Sequence, residues 1–143
     1  QAYFFHGRFG ALAEWVTTSQ DVALGVEATQ LRHEAWQVQA SWILFGDGTI
    51  SYKGVAPRGP GGAWEIAGRY GRVELDDATF PVYADPATQA GKSTEVAVAV
   101  NWWVNKNLKT MLTAARTTFD GGAASGGDRT DENALFVRLQ AMF

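Results

Sequence analysis

Apolar and polar residues alternate with a period of two along six segments of the chain. In one of these segments, Trp36 and Val38 occupy one face. Gln37 and Gln39 occupy the opposite face. The six segments cover residues 3–15, 35–45, 63–70, 94–104, 107–115 and 134–143. Such alternation is typical of β-strands with one apolar face, and no segment shows the 3.6-residue period of a helix. The sequence therefore predicts an all-β, antiparallel fold with six strands.

The connections between these segments differ in length and composition. Residues 105–107 predict a tight hairpin turn. Residues 20–30, 76–93 and 119–133 predict loops, and residues 46–62, rich in Gly and Pro, predict either a loop or a short hairpin. The first segment predicts one continuous strand on which Tyr3, Phe5 and Trp15 share a face.

Two architectures use such strands, a soluble β-sandwich and a membrane β-barrel, and three observations favour the barrel. The periodic segments are about 9 to 13 residues long, which is longer than usual soluble strands and suits a bilayer crossing. The polar face carries small uncharged residues such as Gln39, Ser41 and Thr113, as expected for a wet lumen. Aromatic residues recur at strand ends and predict interfacial girdles. The predicted girdle residues are Trp15, Trp36, Trp64, Tyr70, Trp102 and Trp103.

Six strands are too few to close a membrane barrel, because the smallest outer-membrane barrels have about eight. An open set would leave two unpaired edges in hydrocarbon, which the bilayer does not tolerate. The chain begins "QAYFF" without an initiator methionine. We therefore interpret residues 1–143 as one segment of a larger barrel domain, in a fragment or a processed chain.

Composition narrows the functional classes. The net charge of −3 predicts no nucleic-acid partner, and the absence of cysteine excludes disulfides and thiolate metal sites. No apolar run approaches the ~18 to 20 residues of a membrane helix. No catalytic constellation, nucleotide fingerprint or metal-ligand cluster is present, so the sequence predicts neither an enzyme nor a cofactor.

Five blocks of the sequence carry a family resemblance: "FGALAEWV", "WQVQASWILFGDG", "GAWEIAGRYGRVELDD", "VAVNWWVNKNLKTMLTAARTTFDGG" and "DENALFVRLQAMF". These blocks resemble the C-terminal part of phosphate-selective porins. Their order and spacing also match, from about Gly7 to Phe143. The resemblance implies an antiparallel transmembrane β-barrel of roughly 16 strands, of which this chain supplies about the last six. It also implies a homotrimer in the outer membrane of a Gram-negative-type cell.

The family resemblance implies passive uptake of phosphate or related small anions through a water-filled channel. Residues 119–133 and 76–93 would be external, whereas residues 46–62 and 105–107 would lie at the periplasmic end with the C-terminus. The implied partners are outer-membrane lipid, lipopolysaccharide and the insertion machinery. A terminal aromatic resembles the signal that this machinery recognises, so Phe143, with Ala141 and Leu139, is the predicted assembly signal.

Cations on the polar face are the candidate anion contacts, because Arg and Lys rings favour phosphate. The candidates are His6, Arg8, Arg69, Lys109 and Arg138. Glu14, Glu65 and Glu95 are assigned to the same faces, so structural pairing, for example of Glu65 with Arg69, is the alternative.

Two other functions remain open from the sequence. One is a structural or docking barrel that holds an envelope protein partner. The other is a soluble β-sandwich that binds carbohydrate on its tryptophans.

Overall fold

The computed structural model describes residues 1–142, which are mainly β-strand. The strands are β1 Ala2–His6, β2 Phe9–Leu24, β3 Glu27–Gly46, β4 Gly48–Ser51, β5 Gly54–Pro57, β6 Ala63–Glu74, β7 Ala90–Asn105, β8 Leu108–Gly121 and β9 Glu132–Ala141. A single 3-10 turn, Asp77–Thr79, interrupts them. No helix among residues 1–142 is long and apolar enough to span a membrane.

Seven strands form one open antiparallel sheet in the order β1-β2-β3-β6-β7-β8-β9. The remaining two, β4 and β5, pair only with each other as a hairpin. The antiparallel all-β prediction is confirmed, but the main sheet has seven strands rather than six. The sandwich alternative is not supported, because the only other sheet within residues 1–142 is the two-stranded hairpin. That hairpin is one of the two forms predicted for residues 46–62.

The extra strand arises from a turn inside the first predicted segment. Gly7 has φ +56° and reverses the chain, so that His6 pairs with Phe9. A positive φ at the first central residue is the geometry that glycine permits in a two-residue hairpin turn. The reversal places Phe5 and Phe9 on opposite faces of the sheet. The prediction of one continuous strand was therefore wrong.

The predicted loop at residues 20–30 was also wrong, because main-chain pairing continues through it. β2 and β3 stay in register up to the pair Leu24 and Glu27, and Gly25 (φ +64°) begins the two-residue turn. Both faces of this extension are largely polar, so hydrophobic alternation disappears while the hydrogen-bonded ladder does not. By contrast, the tight turn at residues 105–107 is confirmed, and the Asn107 N–H donates to Asn105 Oδ1 at 2.8 Å.

The sheet is curved, with a convex apolar face and a concave polar face. One register row of the convex face crosses six strands and is apolar throughout: Phe9, Trp42, Ile66, Val100, Leu112 and Val137. Most of these side chains are exposed, for example Trp42 at 50% and Val137 at 76%. A contiguous exposed apolar face of this kind marks a surface that is covered in use.

The main sheet has two distinct ends. The lower end carries the turn after β1, the β4–β5 hairpin, the turn after β7 and the end of β9. The upper end carries the turn after β2 and two loops, residues 75–89 and 122–131. This is the alternation of ends predicted for these connections.

The β4–β5 hairpin folds back onto the concave face at the lower end. Its Ile50 and Val55 join Ile43, Ala63 and Trp103 in a buried apolar cluster. The Ile50 N–H also donates to the carbonyl of the β1–β2 turn at 2.9 Å. The hairpin is therefore packed inside the curve of the sheet and does not extend away from it.

The upper loop, residues 75–89, is tied to β3 by Asp76. Its carboxylate accepts the Arg32 N–H at 2.7 Å and the Ala78 N–H at 2.9 Å. The Asp76 N–H in turn donates to His33 Nδ1 at 3.2 Å. The hydrogen bond from Arg32, followed by that from Ala78, holds the pKa of Asp76 below its usual value.

We expect Asp76→Ala to release this loop. Hydrogen exchange of residues 75–83 should become several-fold faster, because two main-chain donors lose their acceptor. Asp85→Ala is the matched control, since Asp85 Oδ1 accepts only a local N–H, that of Ala87. Equal exchange in the two variants would contradict this role for Asp76.

The same contact predicts a pH dependence. A carboxylate with a lowered folded-state pKa contributes stability above its unfolded pKa of about 3.9 and loses it as pH falls through the folded value. The part of the loop protection that the Asp76 carboxylate contributes should therefore persist down to about pH 4 and be lost only below it. Exchange measured across this range in Asp76→Asn should show no such decline.

Candidate functional site

The concave face encloses a cavity of about 890 Å³ at the lower half of the sheet. Small and polar side chains make up much of its wall, and they come from strands on both sides of the curve. They include Gln39, Ser41, Ala67, Ala97, Ala99, Asn101 and Thr113. Such a surface accepts water and small solutes but offers no nucleophile with an activating base. The arrangement fits passage or binding better than covalent chemistry.

Two of the predicted cations line this cavity without an ion-pair partner among residues 1–142. Lys109 lies opposite Trp103 in the β7–β8 register, and its Nζ is 4.3 Å from the centroid of the indole. Arg138 lies opposite Met111 in the β8–β9 register and also lines the cavity. Both were predicted from the sequence to face the lumen side, and the structure places both on the concave face.

The third predicted cation of this face, Arg69, is paired. Its guanidinium forms a salt bridge with Glu95 on the neighbouring strand. The alternative pairing of Arg69 with Glu65 was wrong. Glu65 lies four residues away on the same strand, whereas Glu95 on the neighbouring strand forms the salt bridge with Arg69. Glu14 accepts a hydrogen bond from Gln37, so a second acidic residue of this face also has a polar partner.

Glu65 lies beneath the β4–β5 hairpin and is only 7% exposed. One of its oxygens, Oε2, accepts the Trp103 Nε1–H at 2.8 Å and the Asn101 Nδ2–H at 3.0 Å. Glu65 borders the cavity, but little of its carboxylate is exposed there. Of the acidic residues predicted on this face, Glu65 is buried and Glu95 is paired with Arg69, whereas Glu14 keeps its negative charge at the cavity wall.

The structure places two predicted cavity residues elsewhere. His6 lies on the convex face, where its ring stacks with Phe4, because the turn at Gly7 reverses the face assignment. Arg8 lies in that turn and donates to the carbonyls of Ile43, Leu44 and Gly46. The prediction that His6 faces the lumen was wrong, and the Arg8 guanidinium is committed to main-chain oxygens.

Five of the six predicted girdle residues lie on the convex face in two groups. In the upper group, Trp15 and Trp36 are register partners near the middle of β2 and β3, and the rings of Trp36 and Tyr70 are 5.4 Å apart. Near the lower end, Trp64 and Trp102 stack with ring centroids 5.6 Å apart. The two groups bound the apolar part of the convex face.

The separation of the two aromatic groups can be read along β6. Trp64 belongs to the lower group, and Arg72 is the register partner of Trp36 in the upper group. These positions are eight residues apart, which is roughly 26 Å at about 3.3 Å per residue. A strand tilt of about 40° reduces this length to about 20 Å along the barrel axis, somewhat less than the apolar band about 25 Å tall of an outer-membrane barrel.

The sixth predicted girdle residue, Trp103, is a correction. It lies on the concave face, is 4% exposed and belongs to the cluster under the hairpin. The alternation places Trp102 and Trp103 on opposite faces because they are consecutive in a strand. Grouping both tryptophans in one girdle was therefore wrong.

The sheet is curved, has one apolar and one polar face, and is bounded by aromatic groups. A comparison with known protein families agrees with this architecture. The model of the family described as phosphate-selective porin O and P matches residues 1–143. The chain belongs to this family. The sequence resemblance is thus confirmed, and the porin family is one of channels rather than enzymes. No match to the chain is found among curated proteins.

The predicted assembly signal of this porin segment lies partly within the described residues. Leu139 is 71% exposed on the convex side of β9, and Ala141 is the last residue of that strand. Phe143 lies outside the described residues. The role of the three residues stays a prediction.

One cation of the porin cavity was missed from the sequence. Lys53 lies at the tip of the β4–β5 hairpin and lines the cavity together with Tyr52. The two-residue Tyr-Lys link between alternating short segments was the available signal. The sequence does not decide between a loop and a hairpin for residues 46–62, so this signal alone does not place Lys53 in the cavity.

The placement of Trp103 and Trp42 on opposite faces of the porin sheet can be tested by fluorescence. We expect a variant that keeps only Trp42 to be quenched strongly by brominated acyl chains, because Trp42 lies on the convex face between the two aromatic groups, two residues above the level of Trp64. A variant that keeps only Trp103 should be quenched several-fold less in the same bilayer. Equal quenching of the two would contradict the face assignment.

Proposed function

We propose that this chain forms part of the wall of an outer-membrane β-barrel through which phosphate or related small anions diffuse passively. The observation that carries the proposal is the two-faced curved sheet. Its convex face is apolar and exposed, and its concave face is polar and carries unpaired cations. Membership of the phosphate-selective porin family supports the choice of anion.

The convex face is suited to contact with hydrocarbon. Isoleucine, valine and leucine fill the band between the two aromatic groups, as in the row that contains Ile66, Val100 and Leu112. Ion pairs on this side, such as Arg72 with Glu74 and Lys92 with Asp120, begin at the upper aromatic row. Charged residues at that level would meet lipid headgroups or lipopolysaccharide.

Strand direction sets a condition on how the barrel closes. β1 and β9 are the two edges of the sheet, and both run toward the lower end. They are therefore parallel to each other and cannot pair in the antiparallel way used throughout the sheet. Closure needs an odd number of further strands, which is nine for a barrel of roughly 16 strands.

The anion path is best supported by charge on the concave face. Lys53, Lys109 and Arg138 line one cavity. Glu65 is buried and Glu95 is paired with Arg69, so Glu14 is the acidic residue that opposes these three cations there. The exposed surface of the cavity is therefore more positive than the chain's net charge of −3 indicates. Positive lining groups favour the entry of phosphate over that of cations.

The setting that follows is an integral barrel in the outer membrane of a Gram-negative-type cell, assembled by the insertion machinery as a homotrimer. The proposed protein performs no catalysis and needs no cofactor. The hairpin at the lower end would narrow the channel on the periplasmic side.

The anion preference can be measured as a reversal potential in planar bilayers with a salt gradient. We expect the double variant Lys109→Gln, Arg138→Gln to lose anion preference by about fivefold. A unit charge about 8 Å from an ion in a water-like medium contributes on the order of 0.5 kcal/mol, which salt at about 0.1 M screens to about half. Removing two such charges disfavours the anion and favours the cation by about 0.5 kcal/mol each, so their permeability ratio changes by about fivefold.

Arg72→Gln is the control for that measurement, because it removes the same charge from the convex face. It should leave the anion-to-cation permeability ratio unchanged. An unaltered protein without any anion preference would overturn the proposed function.

A further inference from the structure

The β4–β5 hairpin meets the wall of the sheet at Trp103. Gly54, the first residue of β5, lies directly against the indole, and a Cβ at that position would collide with the ring. At the hairpin's tip, the rings of Tyr52 and Tyr3 are 5.6 Å apart. The position of the hairpin therefore depends on the orientation of one tryptophan.

The orientation of that indole is fixed from two directions. Its Nε1–H donates to Glu65 Oε2 at 2.8 Å, and the Lys109 ammonium lies 4.3 Å from the ring centroid. The Asn101 amide donates to the same carboxylate oxygen at 3.0 Å. Glu65 thus joins β6 to two positions of β7 at the point where the hairpin rests.

A carboxylate at this position is costly in itself, because a buried charge loses its hydration. This cost is offset because one carboxylate oxygen accepts hydrogen bonds from two buried donors, the Trp103 indole and the Asn101 amide. An apolar residue in place of Glu65 would leave both donors unpaired. Burial under the hairpin also keeps its negative charge away from a permeant anion. The residue is therefore suited to holding structure in place, not to contacting solute.

We propose that Glu65, acting through Trp103, is the positioning residue that holds the β4–β5 hairpin across the lower end of the channel and so sets the channel's width. This inference rests on the proposed channel function. Loss of the acceptor frees the indole to turn, and Gly54 then loses its contact surface. The seven-stranded ladder does not depend on these contacts, so the sheet is expected to form without them.

The first test compares single-channel conductance in Glu65→Ala, Glu65→Gln and Trp103→Phe. Glu65→Ala and Trp103→Phe each abolish the bond to the indole nitrogen, and both should raise conductance and add fluctuations as the hairpin leaves its site. Glu65→Gln removes the charge but keeps a carbonyl oxygen for both donors. It should therefore retain the conductance of the unaltered protein.

The second test reports hairpin position without any measurement of current. The chain has no cysteine, so Lys53→Cys introduces a unique thiol at the hairpin's tip. Its modification by a polyethylene-glycol maleimide too large to enter the channel should be slow alone and with Glu65→Gln. With Glu65→Ala it should be about tenfold faster, because the rate follows the released population.

The two readouts separate this inference from the channel proposal. Faster labelling in Glu65→Ala supports the positioning role even where the protein shows no anion preference, a result that overturns only the proposed function. Labelling that is the same in Glu65→Ala and the unaltered background overturns the positioning role. Labelling of Glu65→Gln as fast as that of Glu65→Ala also overturns the positioning role. The position of the hairpin would then depend on the charge of Glu65 and not on its hydrogen-bond acceptor.

Discussion

Main-chain hydrogen bonding between neighbouring strands is the constraint on which the rest of this structure depends. The ladder runs unbroken from β1 to β9 apart from shifts near Phe45, Gly91 and Val104. In hydrocarbon no water replaces a missing partner, so a spanning strand must be paired along its length. Once pairing is fixed, the two-residue period of the strands sends alternate side chains to opposite faces. The apolar wall and the polar cavity surface both follow from that register.

Charge on the concave face is arranged by burial and pairing more than by composition. The chain as a whole is acidic, yet the open part of the cavity presents Lys53, Lys109 and Arg138. Glu65 is covered by the hairpin, and Glu95 is paired with Arg69. Net charge is therefore a poor guide to what a solute meets inside a channel, because acidic residues can be used structurally within a few ångströms of the path.

The fold class and most of the strand positions were predictable from periodicity, because the alternation in segments such as residues 94–104 is strong. The prediction errors occurred where the alternation is absent, or where two alternating runs follow each other without a break. The turn at Gly7 lies between two aromatic runs whose patterns join without a visible break. The upper ends of β2 and β3 are largely polar on both faces, so only pairing reveals them. The roles of Glu65, Trp103 and Lys53 depend on contacts between the hairpin and the wall, which no local pattern encodes.

The hairpin's point of attachment has an evolutionary consequence. Gly46 and Ala63, the residues at its two ends, are direct partners in the β3–β6 ladder. The whole insertion therefore begins and ends at one closed rung of the sheet. Residues can be gained, lost or exchanged within it without altering the register of any wall strand. In the proposed channel, substitutions within the hairpin can therefore change the width of the bore without altering the wall strands.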